Sequence, residues 1–318
     1  MGDTLKTAAS KAPPAATAPA LRVLASTGFP EYALLDSGKG RKLERFGRFT
    51  LDRPEPQAMW TPALDEKAWQ RADAVFRGEK GEDEDGGGRW RTERALPETW
   101  PVKVLGVTML CRLTGFRHVG LFPEQFPHWQ WMQERQDAVR GERPRVLNLF
   151  AYTGAASLIA ARAGAEVTHV DASKRAIGWA KQNQVASGMA DAPIRWILED
   201  ARKFVAREVR RGRTYHVVLV DPPKFGRGPA GEVWDVFADL PALLGDCAAL
   251  LAPRHAALAL TTYAIRASAL ATDVLVRERL SGRPGTTESG ELVVIDEAAG
   301  RPLPTSLYTR WVSNDAAA

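Results

Sequence analysis

Val146-Leu147-Asn148-Leu149-Phe150-Ala151-Tyr152-Thr153-Gly154 is an apolar run that breaks into a small-residue turn and passes at once into an Ala-rich helix. Three further apolar stretches repeat the move. Val167 to Val170 ends in Asp171, Ile194 to Leu198 ends in Glu199-Asp200, and Val217-Val218-Leu219-Val220 runs into Asp221-Pro222-Pro223-Lys224-Phe225. Short apolar runs alternating with helical spacing are the pattern of parallel strands buried on both faces. Four such strands, each delivering a turn or a carboxylate at its carboxyl end, predict a nucleoside-binding crevice with a reactive fourth corner. The ordered set, more than any one turn, decides the fold class.

Beyond that core the alternation continues. Helices are predicted over 155–163, 174–186, 201–211 and roughly 231–251, then a strand over 256–262 and a helix over 268–280. Glu291 to Ile295 and Ser306 to Val312 close as a hairpin with no helix between them. The expected architecture is α/β: a doubly wound, mostly parallel, seven-stranded Rossmann-like sheet with one antiparallel closing strand. Upstream, residues 125–139 carry Phe126, Trp129 and Met132 at helical spacing. Before residue 116 the runs are short and strand-like, with turns between them, an exposed loop at 78–88 and some helix near 64–76. The chain thus divides into a disordered tail (1–20), a small β-rich domain (21–115) and the sheet domain (116–318).

Composition narrows the class. The 318 residues are 45% hydrophobic, which suits a folded α/β domain with a companion. No apolar run approaches the roughly 20 residues of a membrane span, and residues 1–20 lack the apolar core of a secretory signal. Two cysteines, Cys111 and Cys247, are too few and too far apart for a disulfide framework or a metal site. A cytoplasmic, metal-free protein is the expectation. The net charge of +5 favours a polyanionic partner and is equally met by a solvated basic surface. Lys39, Arg41, Lys42, Arg45, Arg48 and Arg53 crowd one stretch, and Arg202, Lys203, Arg207, Arg210, Arg211 and Arg213 another. Lys224 and Arg227 flank the fourth acidic turn.

The candidate binding residues follow from strand ends. In the turn Phe150-Ala151-Tyr152-Thr153-Gly154, small residues let the backbone approach a ligand. No second and third glycine stand at G-x-G-x-x-G spacing and no Gly-Lys-Ser/Thr follows, which argues against a pyrophosphate cradle. Asp171, with Ala172 and Ser173 beside it, either accepts from both ribose hydroxyls or caps the helix beginning near Ser173. Asp200, with Ala201, either accepts from an exocyclic adenine amine or caps its own helix. Asp221-Pro222-Pro223-Lys224-Phe225 is the sharpest signal. Two prolines stiffen the chain after a buried strand, aiming Asp221 and the main-chain carbonyls at one point while Phe225 offers a flat face. An acceptor, a rigid carbonyl and a ring suit a planar base. Lys224 and Arg227 are placed to bind phosphates.

With these residues in view, the chain resembles the class I S-adenosylmethionine-dependent methyltransferases, the motif series covering its C-terminal two-thirds. Within that class it is similar to the bacterial 23S ribosomal RNA methyltransferase I (YccW-like) family. The likeness rests on Asn148 to Gly154, on Asp221 to Phe225, and on His118-Val119-Gly120-Leu121-Phe122-Pro123-Glu124-Gln125. It implies S-adenosylmethionine contacts from Phe122 and Gln125 as well as from 150–154, Asp171 and Asp200. It further implies a ribosomal RNA substrate, with the N-terminal β-rich unit facing it.

One departure changes the chemistry. Cytosine carbon-5 methylation needs a thiolate nucleophile, which such relatives carry after strand five. Here that stretch is Leu260-Thr261-Thr262-Tyr263-Ala264. The acceptor is therefore expected to be a nitrogen. A protein side-chain amide as acceptor, a nicotinamide oxidoreductase, and a non-catalytic RNA-binding or ribosome-assembly protein stand as alternatives. Most of the 10 Trp are expected in the core, and neither His118 nor His128 is assigned a catalytic role.

Overall fold

The computed structural model describes residues 19–78 and 87–315. The expected tail, apart from residues 19 and 20, and most of the expected loop at 78–88 lie outside the described residues.

In chain order the strands of the N-terminal region are β1 (Leu21–Ser26), β2 (Tyr32–Gly38), β3 (Arg41–Phe46), β4 (Phe49–Pro54), β5 (Ala74–Gly78), β6 (Gly88–Thr92), β7 (Trp100–Val104) and β8 (Val107–Cys111), with one helical turn, α1 (Glu66–Trp69). The helix α2 (Phe126–Ala138) leads into β9 (Arg145–Leu149), α3 (Ala155–Arg162), β10 (Glu166–Asp171), α4 (Lys174–Ala186), β11 (Ile194–Leu198), α5 (Ala201–Arg210) and β12 (Val217–Val220). A short hairpin, β13 (Phe225–Arg227) and β14 (Val233–Asp235), precedes α6 (Val236–Leu250), β15 (Ala257–Thr262), α7 (Ala269–Arg279), β16 (Gly285–Ile295) and β17 (Pro302–Ser313).

Among the described residues the main sheet has eight strands in the order β1-β16-β17-β15-β12-β9-β10-β11. Only β17 runs antiparallel to its neighbours β15 and β16. The eighth strand, Leu21–Ser26, was expected in the N-terminal unit, yet it pairs parallel with β16. The central strands β9 and β12 are buried almost throughout, as helices on both faces require. Strand order reverses between β9 and β12, and the register there is level: Leu149 lies beside both Val170 and Val220, and Val170 beside Ile197. The next residues on these strands, among them Phe150, Asp171 and Asp221, therefore emerge along one edge.

The β2–β6 sheet and the β7–β8 hairpin do not stand apart from this layer. Phe29, Tyr32, Phe46, Trp100 and Met109 share one buried cluster with Phe126, Trp129, Met132 and Ala160. Arg301, beyond β16, donates to Asp296 and to buried Asp36 of β2, both at 2.9 Å, clamping the two sheets together. Two local expectations fail. Helix near 64–76 shrinks to a single turn. The helix expected from 231 begins only at Val236, where Asp235 accepts the N–H groups of Phe237 and Ala238.

Candidate active site

A cavity of about 840 Å³ opens over the carboxyl edge at the β9/β12 switch point. The sheet side supplies Phe150 to Thr153, Asp171 to Ser173, Asp200, Ala201, Asp221 and Pro223. The segment before α2 supplies Phe122, Glu124 and Gln125, α2 supplies His128, and the N-terminal sheet region supplies Lys42, Arg53 and Glu55.

The turn after β9 is wound tightly: Phe150 has φ 55°, Tyr152 φ 48° and Gly154 φ 86°. Two non-glycine residues in the left-handed region cost free energy that only a surrounding structure can hold, and such strain clusters at ligand sites. Three anchors hold it here. Asp171 Oδ2 accepts the Tyr152 N–H at 2.8 Å, Thr153 Oγ1 donates to the Gly120 carbonyl oxygen at 2.6 Å, and Asn183 Nδ2 donates to the Thr153 carbonyl oxygen at 2.9 Å. Asp171 also accepts the Ser173 N–H through Oδ1 at 2.7 Å. Burial raises its pKa, and the two backbone donors oppose the rise. The capping reading of Asp171 is thereby answered: Ser173, through its own hydroxyl, caps α4. Gly154, which starts α3, is not among the residues lining the cavity, and a Cβ there would sit 3.1 Å from that of Ala180.

At the fourth corner Gln125 Nε2 donates to Asp221 Oδ2 at 3.0 Å, while Asp221 Oδ1 has no hydrogen-bond partner among the described residues. Asp221 opens on the cavity rather than on bulk solvent, and that burial, with the nearby charge of Glu124, pushes its pKa up to about 7. Glu124 itself is raised by burial, with Lys42 opposing. Where a catalytic thiol would stand, Thr261 lines the cavity. Cys111 and Cys247 are fully buried, away from the cavity lining, and burial pushes both thiols up. His128 is fixed as a neutral ring. Arg310 Nε donates to its Nδ1 at 2.8 Å, so the proton sits on Nε2, and burial drives its pKa well down.

Several sequence expectations are corrected here. Phe225 does not line the cavity and is 61% exposed. The ring behind the double proline is instead Trp234, whose Nε1–H donates to the Pro223 carbonyl oxygen at 2.7 Å and whose ring packs on Phe150 with centroids 4.9 Å apart. The Pro223 carbonyl is thus already engaged. Pro222 is buried and Lys224 lies off the cavity lining, whereas Arg227 reaches it. Asp200 lines the cavity but takes the capping role, accepting from the N–H groups of Arg202 and Lys203 at 3.0 and 3.2 Å.

Seven of the twelve cations in the two basic stretches are neutralised internally. Arg41 pairs with Asp52, Lys42 with Glu55 at 3.1 Å and Arg53 with Glu44 at 2.6 Å. Arg202 pairs with Asp239 at 2.7 Å, Lys203 with Glu232, Arg207 with Glu199 at 2.5 Å and Arg211 with Glu208 at 3.2 Å. Sequence reasoning missed Glu124, Trp179 and Trp234. Trp179 and Trp234 carried no signal beyond being aromatic, and their tertiary partners lie far along the chain.

This geometry agrees with the comparisons to known proteins. The profile described as S-adenosylmethionine-dependent methyltransferase matches residues 64–294. The chain belongs to that family. A crystal structure of a S-adenosylmethionine-dependent methyltransferase from Agrobacterium tumefaciens is 52% identical, with a TM-score of 0.87 over 92% of this chain and 93% of that one. A methyltransferase solved with bound S-adenosylhomocysteine aligns at a TM-score of 0.70 and 17% identity over 89% of this chain and 75% of its own, which shows a shared fold alone. Ribosomal RNA large subunit methyltransferase K/L of Shewanella frigidimarina is 35% identical over 150 residues, 46% of this chain and 20% of that protein. The chain covers about a fifth of the length of the curated relatives it matches.

S-adenosylmethionine is therefore the cofactor of this methyltransferase, and the donor set suits it. A carboxylate at the end of the second strand stands beside apolar walls from Phe150, Ala151 and Ala201, the pairing that a ribose and a purine require. Among the described residues no group of three His, Cys, Asp or Glu side chains is arranged to hold a metal ion, and no helix is long and apolar enough to cross a membrane.

Proposed function

We propose that this methyltransferase acts on a ring or exocyclic nitrogen of a nucleic acid base in 23S ribosomal RNA. The observation that carries the reading is the unpartnered Oδ1 of Asp221, a carboxylate lining the cavity at the end of β12 with its other oxygen held by Gln125. Such an acceptor grips an N–H and leaves the nitrogen lone pair to react. The curated K/L relatives, named for large-subunit ribosomal RNA, support the substrate class.

When bound, S-adenosylmethionine supplies an activated methyl on a sulfonium. The chain's own task is alignment, water exclusion and proton management. Asp171, already fixed by two backbone donors, receives the ribose hydroxyls. Phe150, Ala151, Ala172 and Ala201 flank the base, and Phe122 and Gln125 cover the cofactor from the segment before α2. Asp221 accepts the acceptor N–H and takes up its proton. Arg227 meets phosphate at the rim.

Asp171→Ala removes both a ribose acceptor and the clamp on the Tyr152 N–H. Calorimetry should show S-adenosylhomocysteine affinity falling about 100-fold, with the fold preserved by circular dichroism. The function itself is tested by mass-spectrometric mapping of nucleosides in ribosomal RNA from cells with and without the gene. Loss of one methylated base, restored by the purified enzyme and cofactor, is the expected result. An unchanged ribosomal RNA together with methyl incorporation into protein would replace this reading by a side-chain amide acceptor.

A further inference from the structure

The hairpin that follows the double proline has two unlike faces. Its strands pair Phe225 with Asp235, Gly226 with Trp234 and Arg227 with Val233. Alternation turns the middle pair inward, where Trp234 is 3% exposed and Gly226 lies against the Pro223 ring. The outer pairs face solvent. Phe225 is 61% and Val233 63% exposed, and Phe237, the second residue of α6, is 55% exposed. Large apolar side chains gathered beside the mouth of an active site mark a contact surface.

Charge identifies what it contacts. The carboxylates around the hairpin are committed elsewhere: Glu232 to Lys203 and the Ala230 N–H, Asp235 to the first N–H groups of α6, Asp239 to Arg202 and the Asp235 N–H. Lys224 and Arg227 have no ion-pair partner among the described residues, and Lys224 Nζ lies 5.2 Å from the Phe225 ring centroid. Seven cations of the longer basic stretches are spent on internal pairs, whereas these two stay open to a ligand beside an exposed ring. Stacking surface plus cations is the chemistry of an unpaired nucleic acid strand. Arg227 lines the cavity and Phe225 does not. The ring therefore addresses a nucleotide outside the cavity.

Resting on the nucleic-acid reading above, we propose that the outer face of this hairpin is a stacking platform for a nucleotide adjoining the methylated one. The Phe225 ring stacks on that neighbour's base, and Lys224 and Arg227 hold the intervening phosphates. The enzyme then recognises at least two consecutive unpaired nucleotides, and a duplex is a poorer ligand than a single strand.

Fluorescence anisotropy on the full chain saturated with S-adenosylhomocysteine tests this, using a labelled mixed-sequence RNA of about 12 nucleotides, single-stranded or annealed to its complement. Phe225→Ala should weaken single-strand binding by about 5- to 100-fold, and Phe225→Trp should restore it. Affinity for S-adenosylhomocysteine should stay at the wild-type value, and Arg227→Gln should lower the salt slope by about one. Single-strand binding by Phe225→Ala within twofold of wild type overturns the platform while leaving the nucleic-acid reading standing. A wild-type enzyme that neither binds nor methylates RNA overturns both.

Discussion

Asp221→Asn lowers kcat by about 10²- to 10⁴-fold and leaves S-adenosylhomocysteine affinity within a few-fold of wild type. The substitution keeps the shape of the side chain, and its amide oxygen still accepts from Gln125 Nε2, now 3.0 Å from Asp221 Oδ2. What it removes is the ionised acceptor. The cavity and the Glu124 charge push the Asp221 carboxyl up to about 7, so the acceptor form is only half-populated near neutrality. Wild-type turnover should climb about tenfold per pH unit below that value and level off above it, a limb that the Asn variant lacks. A flat wild-type profile from pH 5.5 to 9 would remove Asp221 from the proton path.

Stability carries the opposite sign. An aspartate with its ordinary pKa in the unfolded chain and a raised one in the folded protein weakens folding as pH rises between the two values. The full shift corresponds to a penalty of roughly 4 kcal/mol above the raised value. Asp221→Asn should therefore melt higher than wild type at pH 8 and equally at pH 4. A variant at once slower and more stable marks a group held for chemistry at the expense of the fold.

The strand ends were legible because burial on both faces writes near-continuous apolar runs, and the level register then brings Phe150, Asp171 and Asp221 to one edge. What escaped the sequence depended on distant partners. Leu21–Ser26 reads as a strand anywhere, and only its pairing with residues 289–294 places it in the main sheet. The three-residue strands of the 225–235 hairpin are too short to show alternation, and the bond from Trp234 to Pro223 spans a turn with no local signature. Asp200 shows why one letter can carry two meanings. A carboxylate ahead of a helix suits a cap and a ligand equally, and the backbone N–H groups of Arg202 and Lys203 take it first. The basic stretches misled for the same reason, since Asp52, Glu55 and Glu44 face them from across hairpins. Gln125 came through resemblance alone, its partner Asp221 being 96 residues away.

Gly120→Ala should damage the fold and the cofactor turn together. Gly120 sits at φ 100°, and a Cβ built there would meet Trp179 Cζ2 at 2.2 Å. The indole cannot retreat. Its Nε1–H donates to the Leu110 carbonyl oxygen at 2.7 Å, Arg112 covers one side at 4.2 Å from the ring centroid, and Tyr152 lies 6.0 Å away. The segment 118–125 must therefore lift, breaking the bond from Thr153 to the Gly120 carbonyl and releasing both the strained cofactor turn and the Gln125 hold on Asp221. Overpacking and backbone strain together cost about 2–5 kcal/mol. Calorimetry should show S-adenosylhomocysteine affinity falling at least about 30-fold, with a lowered melting temperature. A double-mutant cycle separates the causes. In a Trp179→Ala background the collision is gone, and Gly120→Ala should cost only the left-handed backbone penalty of about 1–2 kcal/mol. Equal costs in the two backgrounds would mean that the indole is not what Gly120 makes room for, and that segment 118–125 is held over the cofactor turn by something other than this contact.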